Sequence, residues 1–443
     1  MGKIRIVVEP PGPRAREIIK RDERVLMQSY VRWLPLVIRA GEGAVVEDVD
    51  GNRYIDMNAG IAVLSTGHRH PKVVEAIKRQ LDKFLHYSLT DFYYEEAVAL
   101  AEKLVSILPG DKVFFTNSGA ESIEGAMKVS RGYFEGRRTY FMAFIGSFHG
   151  RTFGAMSLTA SRPVQRRLFA PFLPMVVHVP YPYCFRCPFK MEPDSCGTYC
   201  LGFIEDWVFS RYVPPDEVAA VFIEPILGEG GYVPAPREFM TGLRKLLDKH
   251  GILLVADEVQ CGMGRTGRWL AIDNYGVKPD IVTLAKGIAS GLPLGAIVGR
   301  GDVMRLPPGS HATTFGGNPV SIAAAMATIE LLEGGLMENA RRQGEYMMRR
   351  LEEMKERYSI VGDVRGMGLM IGVEIVERDN SPAPERMRNI IMRSFKRGVL
   401  VIGAGASTIR LAPPLNIARE EIDEALDIIE EEIRREDAEA KRH

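Results

Sequence analysis

The sequence of 443 residues has little cysteine, little tryptophan and no net charge. It contains 5 cysteines and 3 tryptophans, and its 57 basic residues balance its 57 acidic residues. Because a chain without net charge does not strongly attract phosphates, we expect neither nucleic acid nor an anionic membrane as its main partner. No apolar run approaches the roughly 18 residues that indicate a membrane-spanning helix.

The N-terminal segment also lacks the signals that direct a chain to a membrane or out of the cell. Residues 1–24 contain no apolar segment of a secretory signal, and Ile6 stands where a myristoylation signal carries serine or threonine. We therefore expect the protein in the cytoplasm. The length and a hydrophobic content of 46% are typical of a globular enzyme with several domains.

Two short apolar runs without alternation occupy the most informative part of the chain. Ile252–Ala256 and Ile281–Leu284 are rich in β-branched residues, which is typical of buried parallel strands, although short helices fit the same pattern. Asp257 and Glu258 follow the first run, and Lys286 follows the second. Doubly wound sheets bind their ligands at the carboxyl ends of such strands, so these charged residues indicate a site.

Small and apolar neighbours surround Lys286 in the sequence TLAKGI. Removal from water lowers the pKa of an ammonium group, which is what a lysine that forms a Schiff base requires. The simpler alternative is a solvent-exposed lysine in a loop. The position after a buried strand favours the reactive lysine.

Gly262, Gly264 and Gly267 also spell the G-x-G-x-x-G pattern of dinucleotide-binding proteins. That pattern requires glycines directly between a strand and a helix, and an acidic residue about 20 positions later. Here the segment DEVQC intervenes, no amphipathic helix follows, and the next acidic residue is Asp273. The context argues against a nicotinamide-dependent dehydrogenase.

A further strand-like run, Val113–Phe115, leads through small residues into a helical pattern. Free backbone N–H groups at a helix N-terminus, approached through small side chains, favour a bound anion such as phosphate. The alternative is simple N-capping by Ser118 with Glu121 at the third helical position. The spacing alone supports both interpretations equally.

The segment ADEVQCGMGRTG, followed by Lys286 29 positions after Asp257, resembles the fold-type I enzymes that depend on pyridoxal 5'-phosphate. Within them the chain is similar to the class III aminotransferases for ornithine, acetylornithine and 4-aminobutyrate, from about Gly43 to Leu415. The resemblance implies that Lys286 forms the Schiff base with the cofactor. It also implies that Asp257 contacts the pyridinium nitrogen and Gln260 the phenolic oxygen.

The same resemblance assigns further cofactor contacts. Ser118, Gly119 and Ala120 are expected to bind its phosphate, and Phe148, with His149 beside it, to contact its ring. Thr314, in the segment HATTFGGNP, is expected to reach the phosphate of a neighbouring subunit. The protein is therefore expected to be a homodimer or a dimer of dimers.

Four residues are expected at the substrate. The resemblance implies that Arg151 holds a substrate carboxylate with two hydrogen bonds, and that Glu229 pairs with Arg410. Ile61 stands where ornithine aminotransferases carry a tyrosine that contacts the α-carboxylate. This difference argues against ornithine as the substrate. At this position the chain is more similar to the 4-aminobutyrate enzymes.

The resemblance implies an α/β fold with a large, mostly parallel cofactor domain and a smaller α+β domain. We expect an arm and part of the small domain in 1–70, the large domain in 71–334 and the rest of the small domain in 335–443. The pattern after Pro319 predicts a helix that stops at Gly334-Gly335. The segment 361–375 is predicted as a strand.

Four of the cysteines form the pattern C-x2-C-x8-C-x3-C in an insertion-like segment. In an intracellular chain such a cluster indicates a structural metal. Disulfides between positions 184 and 200 and between 187 and 196 are compatible with the spacing, and free thiols are the third alternative. No catalytic role is expected for this cluster, which consists of Cys184, Cys187, Cys196 and Cys200.

The function expected first is an aminotransferase that moves an amino group from an amino acid or ω-amine to a 2-oxo acid such as 2-oxoglutarate. The alternative is an amino-acid racemase or epimerase of the same family. Both reactions begin when Lys286 removes a proton from the substrate Cα. They differ in where a proton returns, and no motif identifies a proton donor on the opposite face of Cα.

Overall fold

The computed structural model describes residues 2–442, and its centre is a sheet of seven strands. In chain order the strands are β1 (Ile38–Glu42), β2 (Val45–Asp48), β3 (Arg53–Asp56), β4 (Lys112–Thr116), β5 (Tyr140–Ile145), β6 (Val176–Pro180), β7 (Val218–Ile223), β8 (Ile226–Leu227), β9 (Val233–Pro234), β10 (Leu253–Asp257), β11 (Ile281–Leu284), β12 (Gly295–Gly299), β13 (Val361–Met367), β14 (Met370–Ile375), β15 (Val399–Leu400), β16 (Ile402–Ala404) and β17 (Thr408–Leu411).

The helices cover the sheets and connect their strands. They are α1 (Pro13–Val25), α2 (Ala59–Ala62), α3 (Pro71–Leu81), α4 (Glu95–Ile107), α5 (Gly119–Tyr133), α6 (Phe153–Leu158), α7 (Tyr199–Phe203), α8 (Arg237–His250), α9 (Pro319–Leu331), α10 (Met337–Arg357), α11 (Pro384–Lys396) and α12 (Arg419–Arg442).

The central sheet has the strand order β4-β12-β11-β10-β7-β5-β6. Only β12 runs antiparallel to its neighbours, so the other strands end at one edge. Strands β7, β10, β11 and β12 are buried at every residue. Alternate residues belong to two apolar clusters: Val255 packs in one, and Leu254 and Ala256 pack in the other. Because both faces of the sheet are covered, the sequences of these strands are continuous apolar runs.

Two four-stranded sheets and one short pair complete the fold. One sheet has the order β1-β2-β3-β15, which joins residues near both ends of the chain, and the other has the order β13-β14-β17-β16. Strands β8 and β9 form the pair. Strands β2 and β3 pair antiparallel, and Asp50 and Gly51 lie in the connection between them. The expected α/β class, with a large and mostly parallel sheet, is confirmed.

The helix stop predicted at Gly334-Gly335 coincides with a kink between α9 and α10. A π-helical turn over Leu332–Leu336 links the two helices, but Gly335, with φ of +127°, has a non-helical backbone and interrupts the regular path. One detail differs from the sequence prediction. The segment 361–375 forms two antiparallel strands, β13 and β14, because a tight turn at Gly368 reverses it.

The helical run Pro319–Arg357 is the one described segment that is long and apolar enough to cross a membrane by length and composition. Its most apolar window has a mean hydropathy of 1.5 and is 44% buried. Helix α9, at its start, packs against α3 and α4. The apolar character of this segment is therefore accounted for by packing within the fold.

Gly344 determines how closely α10 approaches the turn between β13 and β14. A Cβ atom there would lie 2.2 Å from the carbonyl oxygen of Gly368. We expect Gly344→Ala to lower the free energy of unfolding by about 1–3 kcal/mol, because neither backbone can yield without distorting the packing. Chemical denaturation measures this change.

Gly334→Ala is the matched control, because a Cβ atom at that position meets nothing within 4 Å. Alanine restricts the unfolded chain, so this substitution should leave stability unchanged or raise it by about 0.4–1 kcal/mol. Equal destabilisation by both substitutions would contradict the close approach as the cause.

Candidate active site

Loops that follow the parallel strands enclose a cavity of about 400 Å³ at the carboxyl edge of the central sheet. Most of the residues predicted for the cofactor line this single cavity. They are Ser118, Gly119, Ala120, Phe148, His149, Asp257, Gln260 and Lys286, and Arg151 lines it with them. The shared strand direction explains the convergence, because β4, β5, β10 and β11 all end at this edge.

Asp257 is the last residue of β10, and its buried carboxylate is held on both oxygens. Oδ2 lies 2.7 Å from Nδ1 of His149, and Oδ1 accepts from the Val259 N–H at 3.1 Å and the Thr283 hydroxyl at 3.3 Å. The other ring nitrogen of His149, Nε2, is buried and has no partner in the described structure. These contacts fix the orientation of the carboxylate within the cavity.

Lys286 follows β11 after one residue and has a left-handed backbone, with φ of +44°. Burial lowers the pKa of its ammonium group, and the nearby carboxylates of Glu229 and Asp257 oppose this effect only in part. A lysine with a lowered pKa has more of the neutral amine that attacks a carbonyl carbon. A left-handed non-glycine residue is uncommon and occurs often at functional sites.

The N-terminus of α5 opens into the same cavity through Ser118, Gly119 and Ala120. The Ser118 side chain caps the helix by accepting from the Glu121 N–H at 3.2 Å, so the capping interpretation is correct. Capping and anion binding are compatible here, because one hydroxyl satisfies only one of the free N–H groups. The remaining donors and the helix dipole favour a phosphate group.

Gln260 is positioned by a residue that the sequence did not identify. The buried Tyr232 hydroxyl donates to the Gln260 Oε1 at 2.9 Å, which leaves the amide N–H groups of Gln260 as donors toward the cavity that this residue lines. Tyr232 has a left-handed backbone, with φ of +53°. No motif predicts this contact, because 28 positions separate the two residues.

Glu224 is a second residue that the sequence did not identify as part of the site. One of its carboxylate oxygens accepts from the Phe148 N–H at 2.8 Å and the other from the Gly228 N–H at 2.9 Å. Burial, together with the charge of Asp257, raises the pKa of Glu224 to about 7, although His149 acts in the opposite direction. Its position at the end of β7, beside the cavity, was the available signal.

The expected ion pair between Glu229 and Arg410 is present, with 2.5 Å between Oε1 and Nη1. The Arg410 side chain is 3% exposed, and its Nε is buried without a partner in the described part of the chain. Burial by itself raises the pKa of Glu229, but the attraction of Arg410 outweighs this and the net shift is downward. Both groups are therefore charged. The exposed Arg151 lines the cavity, with its guanidinium carbon 5.4 Å from the centre of the Phe148 ring.

Four of the predicted residues do not line the cavity: the paired Glu229 and Arg410, and also Ile61 and Thr314. Ile61 is 42% exposed in the left-handed turn α2, two residues before Val63, which does line it. Thr314 is exposed and contributes nothing to the cavity of its own chain. The proposed contact of Thr314 with a neighbouring subunit therefore remains a prediction.

The four clustered cysteines surround a separate cavity of about 30 Å³. All four thiols are free, and no set of three or more potential ligands in residues 2–442 is arranged to hold a metal ion. Of the three alternatives from the sequence, the described structure contains free thiols. Burial raises the pKa of Cys200 to about 11, which favours the protonated thiol.

These groups fit pyridoxal 5'-phosphate. The cavity combines a helix N-terminus for an anion, a fixed carboxylate for a ring nitrogen and a lysine of lowered pKa for an aldehyde. The aromatic ring of Phe148 provides a surface for a planar ring. Every polar end of the cofactor thus has a chemically matched group.

Comparison with known proteins agrees with this interpretation. The family model described as aminotransferase class-III matches residues 26–433. An alanine/serine racemase from Pyrococcus horikoshii is 46% identical, over 97% of this chain and 92% of the relative. A leucine/methionine racemase from Thermococcus litoralis is 42% identical, over 95% of this chain and 96% of the relative. An acetylornithine aminotransferase from Archaeoglobus fulgidus is 41% identical, over 93% and 99%.

The fold is similar to solved transaminase structures. An amine transaminase from an uncultivated Pseudomonas species, with pyridoxal phosphate bound, superposes with a TM-score of 0.86 at 30% identity. The match covers 93% of this chain and 98% of that chain. The chain therefore belongs to the class-III aminotransferase family of fold-type I enzymes, with pyridoxal 5'-phosphate as its cofactor.

Proposed function

We propose that this enzyme interconverts the enantiomers of neutral α-amino acids. The observation that carries the proposal is the similarity, over almost the whole chain, to an alanine/serine racemase at 46% identity and a leucine/methionine racemase at 42%. The sequence alone favoured an aminotransferase. We place the racemase first on the strength of the 46% identity, since the leucine/methionine racemase at 42% and the acetylornithine aminotransferase at 41% are about equally similar to this chain.

The residues of the cavity suit removal of a proton from Cα. When bound, pyridoxal phosphate withdraws electrons from the bond that is broken at Cα. Asp257, oriented by His149, keeps a proton on the ring nitrogen of the cofactor. The Lys286 Nζ, with its lowered pKa, accepts the Cα proton. Gln260 donates from its amide N–H, since Tyr232 occupies its Oε1.

The position of Arg410 supports an α-amino acid as substrate. Its charge is one of the influences that lower the pKa of Lys286, beside the burial of that lysine. A carboxylate bonded to the reacting Cα lies near the group that removes the proton. Arg410 is therefore the receptor for the α-carboxylate, and Glu229 must withdraw before the substrate binds. Arg151 is then available to contact the part of the substrate that lies farther from Cα.

Transamination is the second candidate, and the Glu229–Arg410 pair favours it. An enzyme that alternates between an amino donor and 2-oxoglutarate needs an arginine that is exposed for one substrate and neutralised for the other. Glu229 provides such neutralisation, and Arg151 supplies a second carboxylate site. Racemisation returns a proton to Cα and regenerates an amino acid. Transamination instead transfers the amino group to an oxo acid.

We also propose a homodimer in the cytoplasm, acting on small molecules, with neither nucleic acid nor a membrane as partner. The exposed Thr314 supports the dimer, because it is predicted to complete the phosphate site of a neighbouring subunit and lies outside the cavity of its own chain. The balanced charge supports the absence of a polyanionic partner.

Incubation with single L-amino acids and no oxo acid tests the reaction type. We expect the enzyme loaded with cofactor to form the D-isomers of leucine, methionine, alanine or serine over many turnovers, measured by chiral chromatography. In deuterated water the product should carry deuterium at Cα, because the abstracted proton exchanges with solvent.

Transamination gives the opposite result in the same experiment. Formation of one equivalent of oxo acid per active site, with pyridoxamine 5'-phosphate and no D-isomer, would replace the racemase with the aminotransferase. Addition of 2-oxoglutarate would then restore turnover.

Lys286→Ala should abolish reaction with every amino acid, because no other amine replaces the base at Cα. Borohydride reduction of the loaded wild-type enzyme should attach the cofactor covalently to Lys286, as peptide mass spectrometry detects. The variant should retain the cofactor without this attachment. Covalent labelling of another lysine in the wild type would transfer the role to that residue.

Glu229→Gln should raise the preference for α-amino acids over amines without a carboxylate by about tenfold, because a neutral side chain releases Arg410 more readily. The measurement is kcat/KM for deuterium exchange at the carbon that bears the amine, as the ratio of leucine to 3-methylbutylamine, which is leucine without its carboxylate. The exposed Glu238 offers a control: Glu238→Gln should leave the ratio unchanged. An unchanged ratio in Glu229→Gln would remove the ion pair from substrate selection.

A further inference from the structure

Arg162 lies beside the active site, and its guanidinium group forms few contacts. Its Nη2 donates to the Gly405 carbonyl at 3.4 Å, and its Nε is buried without a partner. The guanidinium carbon is 6.0 Å from the centre of the Trp33 ring, at the limit of a cation–π contact. No acidic side chain in residues 2–442 forms an ion pair with Arg162, so its charge is available.

Gly405 lies between the side chain of Arg162 and the main chain of Glu229. The Gly405 N–H donates to the Glu229 carbonyl at 2.9 Å, while its own carbonyl accepts from Arg162. A Cβ atom at position 405 would lie 2.8 Å from the Gly230 carbonyl oxygen, and the φ of Gly405 is +56°. Glycine thus permits the close approach of the two loops. Arg162 and Glu229 consequently contact the same residue.

The charge of Arg162 acts on Glu229 in the closed arrangement. Although burial raises the pKa of this carboxyl, Arg410, Lys286 and Arg162 lower it, so Glu229 is ionised. If a substrate carboxylate displaced Glu229 from Arg410, the displaced charge would remain in a part-buried place. Removing one partner of a buried ion pair is costly unless another cation compensates the charge.

We infer that Arg162 is a positioning residue that receives the Glu229 carboxylate when a substrate carboxylate takes its place on Arg410. Rotation of the Glu229 side chain exchanges one arginine for the other, and no bond is formed or broken. Arg162 therefore determines how readily Arg410 becomes available, and hence how well carboxylates compete with simple amines. This inference rests on the proposed role of Arg410 as receptor of the α-carboxylate.

Two fragments of leucine separate this role from general effects. 4-Methylpentanoate has the carboxylate without the amine, and 3-methylbutylamine has the amine without the carboxylate. Isothermal titration calorimetry on the loaded enzyme measures the Kd of each. Arg162→Gln should raise the Kd of 4-methylpentanoate about tenfold and change that of 3-methylbutylamine by less than about twofold. Arg162→Lys should retain most of the affinity for 4-methylpentanoate, because the charge is kept.

The decisive comparison repeats Arg162→Gln in the Glu229→Gln background. A neutral glutamine needs no second cation, so loss of Arg162 should there change the Kd of 4-methylpentanoate by less than about twofold. Equal weakening in both backgrounds would show that Arg162 attracts the ligand itself and would overturn the inference. So would an unchanged Kd in the single variant Arg162→Gln.

Two controls keep the result interpretable. Arg167→Gln removes the same charge from an exposed position nearby and should leave both Kd values unchanged. Arg410→Gln should weaken 4-methylpentanoate strongly, and its failure to do so would refute the proposed carboxylate receptor. If Arg410→Gln weakens binding but Arg162→Gln does not, only the role of Arg162 fails. Thermal unfolding of each variant confirms that it is folded.

Discussion

The burial of opposite charges at one edge of the central sheet is the constraint on which the site depends. Asp257 and Lys286 stand at or just after the ends of neighbouring strands, β10 and β11, where water is largely excluded. A buried carboxylate is tolerated because it is hydrogen-bonded on both oxygens, and here His149, Val259 and Thr283 provide the donors or partners. The same burial that requires these contacts lowers the pKa of the lysine.

The smaller sheet completes the site by holding the loop after β8. Arg365, on β13, donates to the carbonyls of Gly231 at 2.7 Å and Tyr232 at 3.2 Å, and it also pairs with Glu374 at 2.8 Å. That loop carries Glu229, while β17 of the same sheet carries Arg410. The ion pair therefore spans two parts of the fold, and its geometry depends on how they pack.

Racemisation and transamination share almost all of this machinery. In the proposed mechanism both use Lys286 at Cα, Asp257 at the ring nitrogen and a receptor for the α-carboxylate. The two reactions differ in the route by which a proton returns. That route depends on where a proton donor lies relative to Cα. This explains how relatives named as racemases and as aminotransferases have similar identity to one chain.

The sequence by itself determined the parallel strands and the charged residues that follow them, because strands buried on both faces leave an uninterrupted apolar run. Residue order also located Lys286, Asp257 and the turn before α5. Only the tertiary structure decided which side chains support them. Tyr232 reaches Gln260 across 28 positions, and Arg162 reaches Glu229 through the backbone of Gly405. Such contacts depend on loop packing between sheets, for which hydrophobic periodicity carries no signal.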